Sequence, residues 1–227
     1  MKSKWPKRIK SLFSFFLSAA VIGAVSFVLL LLYLRSQPLP HAHTSLTTHI
    51  YDANGGTIVK MYRGENRQIV PLEEMSPYVI QATLAVEDHR FFRHFGFDLQ
   101  GLARAVLVNV TEMAKVQGGS TITQQLARNL YLTHEKTWER KIKEAIYTLQ
   151  LEMQYDKEEI LEQYLNEIYY GHAAYGIQSA SRLYFHKDAK DLTLAESALL
   201  AGVPKGPRYY SPYYGEKNAK KRQKIVL

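Results

Sequence analysis

Apolar residues are spread along this chain in three patterns: one long unbroken run, one short alternation, and several stripes of helical period. The run covers residues 12–34, where Leu, Phe, Val and Ala dominate and no charged residue occurs. As a helix it rises roughly 34 Å at 1.5 Å per residue, enough for a hydrocarbon core of about 30 Å. The alternation follows: Ile50 and Tyr51, a turn at Asp52, Ala53, Asn54, Gly55 and Gly56, then Ile58 to Tyr62. An Asn-Gly pair between two such stretches predicts a β-hairpin.

From Met75 the period becomes helical, with Pro77 in the first turn of a helix reaching about Glu87. One stripe joins Leu99, Leu102, Ala103, Val106, Val110 and Met113; a second joins Ile142, Ala145, Ile146, Leu149 and Met153. A third joins Ile160, Leu161, Tyr164, Leu165 and Ile168. Each is expected to face a core. Thr193 and Glu196 have capping-box spacing, so another helix starts there and ends near Gly202 and Pro204. A last helix over residues 216–227 has no terminating cap, so the natural protein is expected to continue. The predicted organisation is a basic tail (1–11), an anchor (12–34), a linker (35–46) and a mainly α domain with a small β element at its start (47–227).

Charge refines this picture. Lys2, Lys4, Lys7, Arg8 and Lys10 precede the apolar run, and only Arg35 follows closely. The positive-inside rule places the N-terminus in the cytoplasm and the domain outside. The run is too long for the core of a signal peptide, and no small-x-small cleavage site follows it. The tail holds five of the eight net positive charges, so the basic balance is poor support for nucleic-acid binding. The absence of cysteine excludes disulfides and thiolate metal sites.

Candidate chemistry gathers in three places. Gly118, Gly119, Ser120, Thr121, Ile122, Thr123, Gln124 and Gln125 combine paired glycines with a capping box, predicting a helix from Ile122. A glycine turn feeding a helix N-terminus suits an anion such as phosphate. Glu87 and Asp88 end an apolar helix just before Phe91, Phe92, Phe95 and Phe97, a setting suited to proton transfer. Glu144 stands one turn beyond Arg140, either as a surface ion pair or as a second carboxylate facing a cleft, with Lys141 and Lys143 nearby.

Taken together these residues resemble a known family. Glu87-Asp88-His89-Arg90-Phe91-Phe92-Arg93-His94-Phe95-Gly96 resembles the first signature of the family 51 glycosyltransferases, the peptidoglycan polymerases found alone or in class A penicillin-binding proteins. Residues 119–125 resemble the second signature, 140–144 the third, 157–166 the fourth and 195–212 the fifth. The order matches, over about residues 47–225. The Ser-x-x-Lys and Lys-Thr-Gly signatures of a transpeptidase do not occur in this sequence.

The resemblance implies a lysozyme-like, mainly helical fold that joins lipid II units into β-1,4 glycan with inversion and release of undecaprenyl pyrophosphate. It implies Glu87 as general base and Glu144 as a second functional carboxylate. Arg128, Lys136, Arg140, Lys141 and Lys143 would receive the pyrophosphate, with a divalent cation (Mg or Mn) as a helper. Asp88, Phe92, His94, Gly119, Ser120, Thr121, Gln124, Gln125, Asn129 and Asn166 complete the expected substrate-binding set. The implied partners are lipid II, the nascent strand, the bilayer and other cell-wall synthesis and division proteins. Val106, Leu107, Val108, Val110 and Met113 either join a membrane-dipping jaw or pack in the core, and at least half are expected in the core. A lysozyme-like glycan-cleaving enzyme is the alternative, because paired carboxylates on one fold also serve hydrolysis. A non-catalytic scaffold that holds the precursor is a third.

Overall fold

The computed structural model describes residues 7–42, 48–51, 53, 57–61, 64–111, 118–133, 135 and 137–227. The chain divides into two units, Met1–Leu39 and Pro40–Leu227. The first is one helix, α1 (Lys7–Ser36), whose stretch Ser11–Ser36 is long and apolar enough to cross a membrane by length and composition.

The second unit opens with the expected hairpin: β1 (Thr48–Tyr51) pairs antiparallel with β2 (Thr57–Met61). The predicted Asn54-Gly55-Gly56 turn lies outside the described residues. A two-residue strand β3 (Asn66–Arg67) pairs in parallel with β4 (Ala174–Tyr175). The rest is helical: α2 (Pro77–Glu87), α3 (Leu99–Thr111), α4 (Ile122–Tyr131), α5 (Trp138–Gln154), α6 (Lys157–Glu167), α7 (Ile177–Phe185), α8 (Leu194–Gly202) and α9 (Pro212–Val226). The class is thus mainly α with a minor β piece, as predicted.

Local chemistry explains the helix starts. Thr121 with Gln124, Asp156 with Glu159 and Thr193 with Glu196 close capping boxes on α4, α6 and α8. Each satisfies two backbone N–H groups that a helix end leaves without partners. Ser76 caps α2 just ahead of Pro77. The last helix starts four residues earlier than predicted, at Pro212, and is interrupted by the non-helical Gly215.

The core is built on α4 and α6. Ile122, Leu126 and Ala127 meet Ile160, Leu161, Tyr164 and Leu165, all shielded from water, while α2 packs on α8 and α8 on α9. The α6 stripe faces inward as expected. Two other stripes do not. On α5 the buried positions are Glu144, Thr148, Gln150, Leu151 and Glu152, and Ile142 is exposed. Polar side chains can occupy that edge because each finds a partner: Thr148 Oγ1 donates to the Glu144 carbonyl at 2.6 Å, and Glu152 accepts from Lys157 Nζ at 2.7 Å. On α3, Leu99, Leu102, Val106, Leu107 and Val110 are exposed and Ala105 is buried. The expectation that half of the candidate jaw residues pack in the core fails: Val106, Leu107 and Val110 are exposed and Val108 is half-buried. Met113 lies outside the described residues.

Candidate active site

Helix α2 delivers two adjacent carboxylates in different directions. Glu87, its last residue, accepts a hydrogen bond from Gln125 Nε2 at 2.9 Å. Gln125 in turn accepts the Tyr164 hydroxyl at 3.3 Å. Burial, and next the charge of Glu87, push the Tyr164 phenol well above its ordinary range, so it stays a donor. Among the described residues Glu87 has no cationic partner.

Asp88 is buried and fully engaged. Both of its carboxylate oxygens lie 3.0 Å from His94 Nε2, and Oδ2 accepts the Ile122 N–H at 3.1 Å. This revises the reading of residues 118–125 as a phosphate cradle. The positive end of α4 already carries an anion, and it is Asp88. The Gln124 N–H is taken by Thr121 Oγ1 at 3.2 Å, and the Thr121 N–H by Gln124 Oε1 at 3.0 Å. Thr121 also donates its hydroxyl to the Gly96 carbonyl at 2.7 Å. Neither Gly118 nor Gly119 has a positive φ. Gly119 answers to close approach instead, since a Cβ there would lie 2.9 Å from Leu102 Cδ1.

A cleft of about 670 Å³ opens beside Glu87. Its walls are Ala85 to His89 from the end of α2, Asp98, Gly101, Leu102 and Arg104 at α3, residues 118–121 with Gln125 and Arg128 at α4, and Pro204, Lys205, Arg222 and Ile225 from the α8 and α9 end. Arg104, Arg128, Lys205 and Arg222 form no ion pair among the described residues. Arg222 Nε is buried without a hydrogen-bond partner. Asp98 is held below the usual carboxylate range: burial opposes ionisation, but the Gly101 amide, Arg90, His94 and the Gln100 amide outweigh it.

The predicted residues therefore sort into separate places. Glu87, Asp88, Gly119, Ser120, Thr121, Gln125 and Arg128 line the cleft. Glu144 does not. Its side chain is 1 % exposed, and it accepts from Arg140 NH1 at 2.8 Å and from Lys141 Nζ. It is neither a surface ion pair nor an open cleft carboxylate. Lys143 pairs with Glu139 on the surface at 2.6 Å. His94 and Gln124 stand behind the wall as supports, and Phe92 and Asn129 do not line the cleft. Asn166 is a clamp: its amide donates to the Val70 and Glu162 carbonyls, at 2.8 and 3.0 Å, and accepts from the Val70 N–H at 3.1 Å. Lys136 lies outside the described residues.

Sequence reasoning missed Arg104, Lys205 and Arg222 as cleft groups. Lys205 sat inside a stretch weighed only as a signature. Arg222 and Ile225 stand three apart in the final helix, a spacing that puts both on one edge. No group of three or more His, Asp or Glu side chains that could hold a metal ion occurs among the described residues. The cleft acids explain this, since Asp88 and Asp98 are committed to His94, backbone amides and Arg90. Among the described residues the donor set does not fit a resident metal.

Comparison with known proteins adds an independent line. A family model described as Transglycosylase matches residues 54–227. Penicillin-binding protein 2D of Bacillus subtilis (strain 168) is 53 % identical over 209 residues, 92 % of this chain and 30 % of that protein. Penicillin-binding protein 1F of the same organism is 45 % identical over 208 residues, 91 % of this chain and 29 % of that protein. A crystal structure of penicillin-binding protein 1A from Haemophilus influenzae aligns loosely, with TM-score 0.40 and 23 % identity over 84 % of this chain and 18 % of that one. The chain thus spans about 30 % of the length of these two Bacillus relatives.

Proposed function

The chain belongs to the transglycosylase family, and from that membership we propose that it polymerises lipid II into β-1,4-linked peptidoglycan strands. Glu87 takes the proton from the 4-hydroxyl of the acceptor sugar. The freed oxygen attacks C1 of the lipid-linked donor, the C1–oxygen bond to undecaprenyl pyrophosphate breaks, and the anomeric carbon inverts. A placed base is worth about 10²–10⁴-fold. Alignment and charge stabilisation supply the remainder.

The observation that carries this reading is Glu87 itself: a half-buried carboxylate in a cleft wall, steered by the neutral amide of Gln125 and without a cation among the described residues. Such a group keeps its lone pairs for a substrate proton. Arg128, Lys205 and Arg222 share the cleft and suit the pyrophosphate oxygens. Helix α1 fits a single membrane anchor with the N-terminus in the cytoplasm and the second unit outside.

The test is turnover of labelled lipid II by the full chain in detergent, read as product length. The wild type is expected to give polymer and Glu87→Gln almost none. A folded wild type that binds lipid II but makes no polymer overturns the proposal, and shortening of preformed glycan would favour the hydrolase.

A further inference from the structure

Charge is shared unevenly along the second unit. Residues 40–204 hold twenty acids against sixteen Lys and Arg, whereas residues 205–227 hold seven Lys and Arg against one acid, Glu216. Four of the seven form a stripe. Lys217, Lys220, Lys221 and Lys224 stand three or four apart on α9, all exposed, and so share one face over roughly 10 Å. Lys220 pairs with Glu216 at 2.6 Å, while Lys217, Lys221 and Lys224 form no ion pair among the described residues. Like charges at this spacing repel. The helix dipole favours Lys224 in the last turn, but not Lys217 nearer the start. The other edge of α9 faces the protein: Ala219 is buried, Gln223 Nε2 donates to the Ala195 carbonyl at 2.6 Å, and Arg222 and Ile225 line the cleft. The stripe therefore begins at the edge of the cleft, with Lys224 next to Ile225.

Its far end leads to a cluster of rings. His172 stacks on Tyr214 at 4.9 Å between ring centres and meets Tyr213 edge-on at 5.1 Å. Tyr213 and Tyr214 are 57 % and 74 % exposed. These rings are held in place: His172 Nε2 lies 2.8 Å from Ser211 Oγ, and the Tyr213 hydroxyl donates to the Leu183 carbonyl at 3.0 Å. His172 and Ala173 sit in left-handed backbone, with φ of 51° and 61°. Residues with a Cβ rarely adopt that region, and where they do the strain tends to cluster at sites.

We infer that the outer face of α9 is a track for the product glycan, with the lysines on the carboxylates of its stem peptides and the tyrosine rings on its sugars. The inference rests on the proposed function, which makes the product a polymer that must leave the cleft as it grows. Each disaccharide of that polymer carries a peptide with free carboxylates, so the glycan is a regular polyanion. Its sugars present C–H faces that pack on aromatic rings. Exposed ion pairs are individually weak. A row of them holds an anionic chain while letting it slide, which suits a product that advances after every addition.

The test is binding of uncross-linked glycan to the full chain in detergent, read by fluorescence anisotropy, with glycan that keeps its peptides and glycan stripped of them. The wild type is expected to bind the peptide-bearing glycan about tenfold more tightly, as several weak ion pairs acting together would give. Replacing the four lysines together (K217Q, K220Q, K221Q and K224Q) should erase that difference, and four Lys→Arg changes should keep it. Tyr214→Ala should weaken both glycans alike. Equal affinity of the wild type for the two glycans overturns the inference, as does a preference that survives loss of the four lysines. Unchanged glycan binding in the glutamine variant, with lipid II turnover lost only in micelles containing phosphatidylglycerol, assigns the stripe to lipid headgroups and also overturns it. Lipid II turnover by the same wild-type sample reports separately on the proposed function. A chain that polymerises lipid II and binds both glycans equally loses this inference alone.

Discussion

Glu87 on α2 and Glu144 on α5 are carboxylates of one helical unit, and their surroundings are opposite. Glu87 stands in the wall of an open cleft with an uncharged amide for company. Glu144 is 1 % exposed and fastened by two cations from its own helix. A carboxylate that is to accept a proton must not be fully committed to cations, and one committed to cations is a counter-ion. The difference fits the proposed function, which gives the proton transfer to Glu87. Glu144 fixes Arg140 and Lys141 in place.

The largest expected effect follows from that difference. Glu87→Gln should lower lipid II turnover by about 10²–10⁴-fold, with an unchanged unfolding temperature in detergent, since the Gln125 amide can donate to the new carbonyl. Glu144→Gln should do the reverse in kind. It leaves Arg140, itself only 17 % exposed, without its carboxylate. Breaking a buried pair in this way costs about 3 kcal/mol, so thermal unfolding should shift down markedly and activity should fall with it. A Glu144→Gln protein of wild-type stability and no turnover would break the comparison and put Glu144 in the chemistry.

How much of this was legible in the sequence depended on what held each residue. The start of α2 was readable because proline suits a first helical turn, and those of α4 and α8 because a capping box is a local bond between residues three apart. Their hydrogen bonds fall where the spacing put them. The inward edge of α6 was readable because it is apolar. The inward edge of α5 was not, since Glu144, Thr148 and Glu152 are buried through bonds to partners such as Thr123 and Lys157, which no periodicity of apolar residues reveals. For the cleft, Glu87 and Gln125 were singled out and do meet. Asp88 was read as a substrate group, yet it bonds the Ile122 amide, thirty-four residues on. Arg222 joins the cleft only because α9 packs back on α8, a long-range event.

A smaller effect separates the cleft cations from a paired surface cation, Lys143. Arg128 and Arg222 face the cleft without an acid partner among the described residues, so Arg128→Ala and Arg222→Ala should each lower kcat/KM about tenfold. The loss should lie mainly in KM and leave unfolding temperature nearly unchanged. Lys143→Ala removes a surface pair with Glu139 and should leave both KM and unfolding temperature as in the wild type. Equal losses from all three would mean that the cleft cations are no different from surface charge.

Glu167 gives the finest test, because it lies between the two extremes. It has one strong cationic partner, Arg67, whose NH2 is 3.2 Å from Oε1 and whose NH1 bonds Oε2, and Glu65 contests the same guanidinium at 3.3 Å. Burial raises the Glu167 carboxyl first, Arg67 pulls it down, Glu65 pushes it up, and the result is about 7 against an ordinary 4.5. Between those two values the folded chain holds a proton that the unfolded chain has released. The contribution to stability is therefore complete below about pH 4.5 and is lost as pH rises through about 7. Glu167→Gln cannot titrate, so subtracting its unfolding curve from that of the wild type should leave a slope confined to this window. A flat difference would mean that one arginine suffices to hold a carboxylate ionised at this depth. Burial would then no longer explain why Glu144 needs two cations.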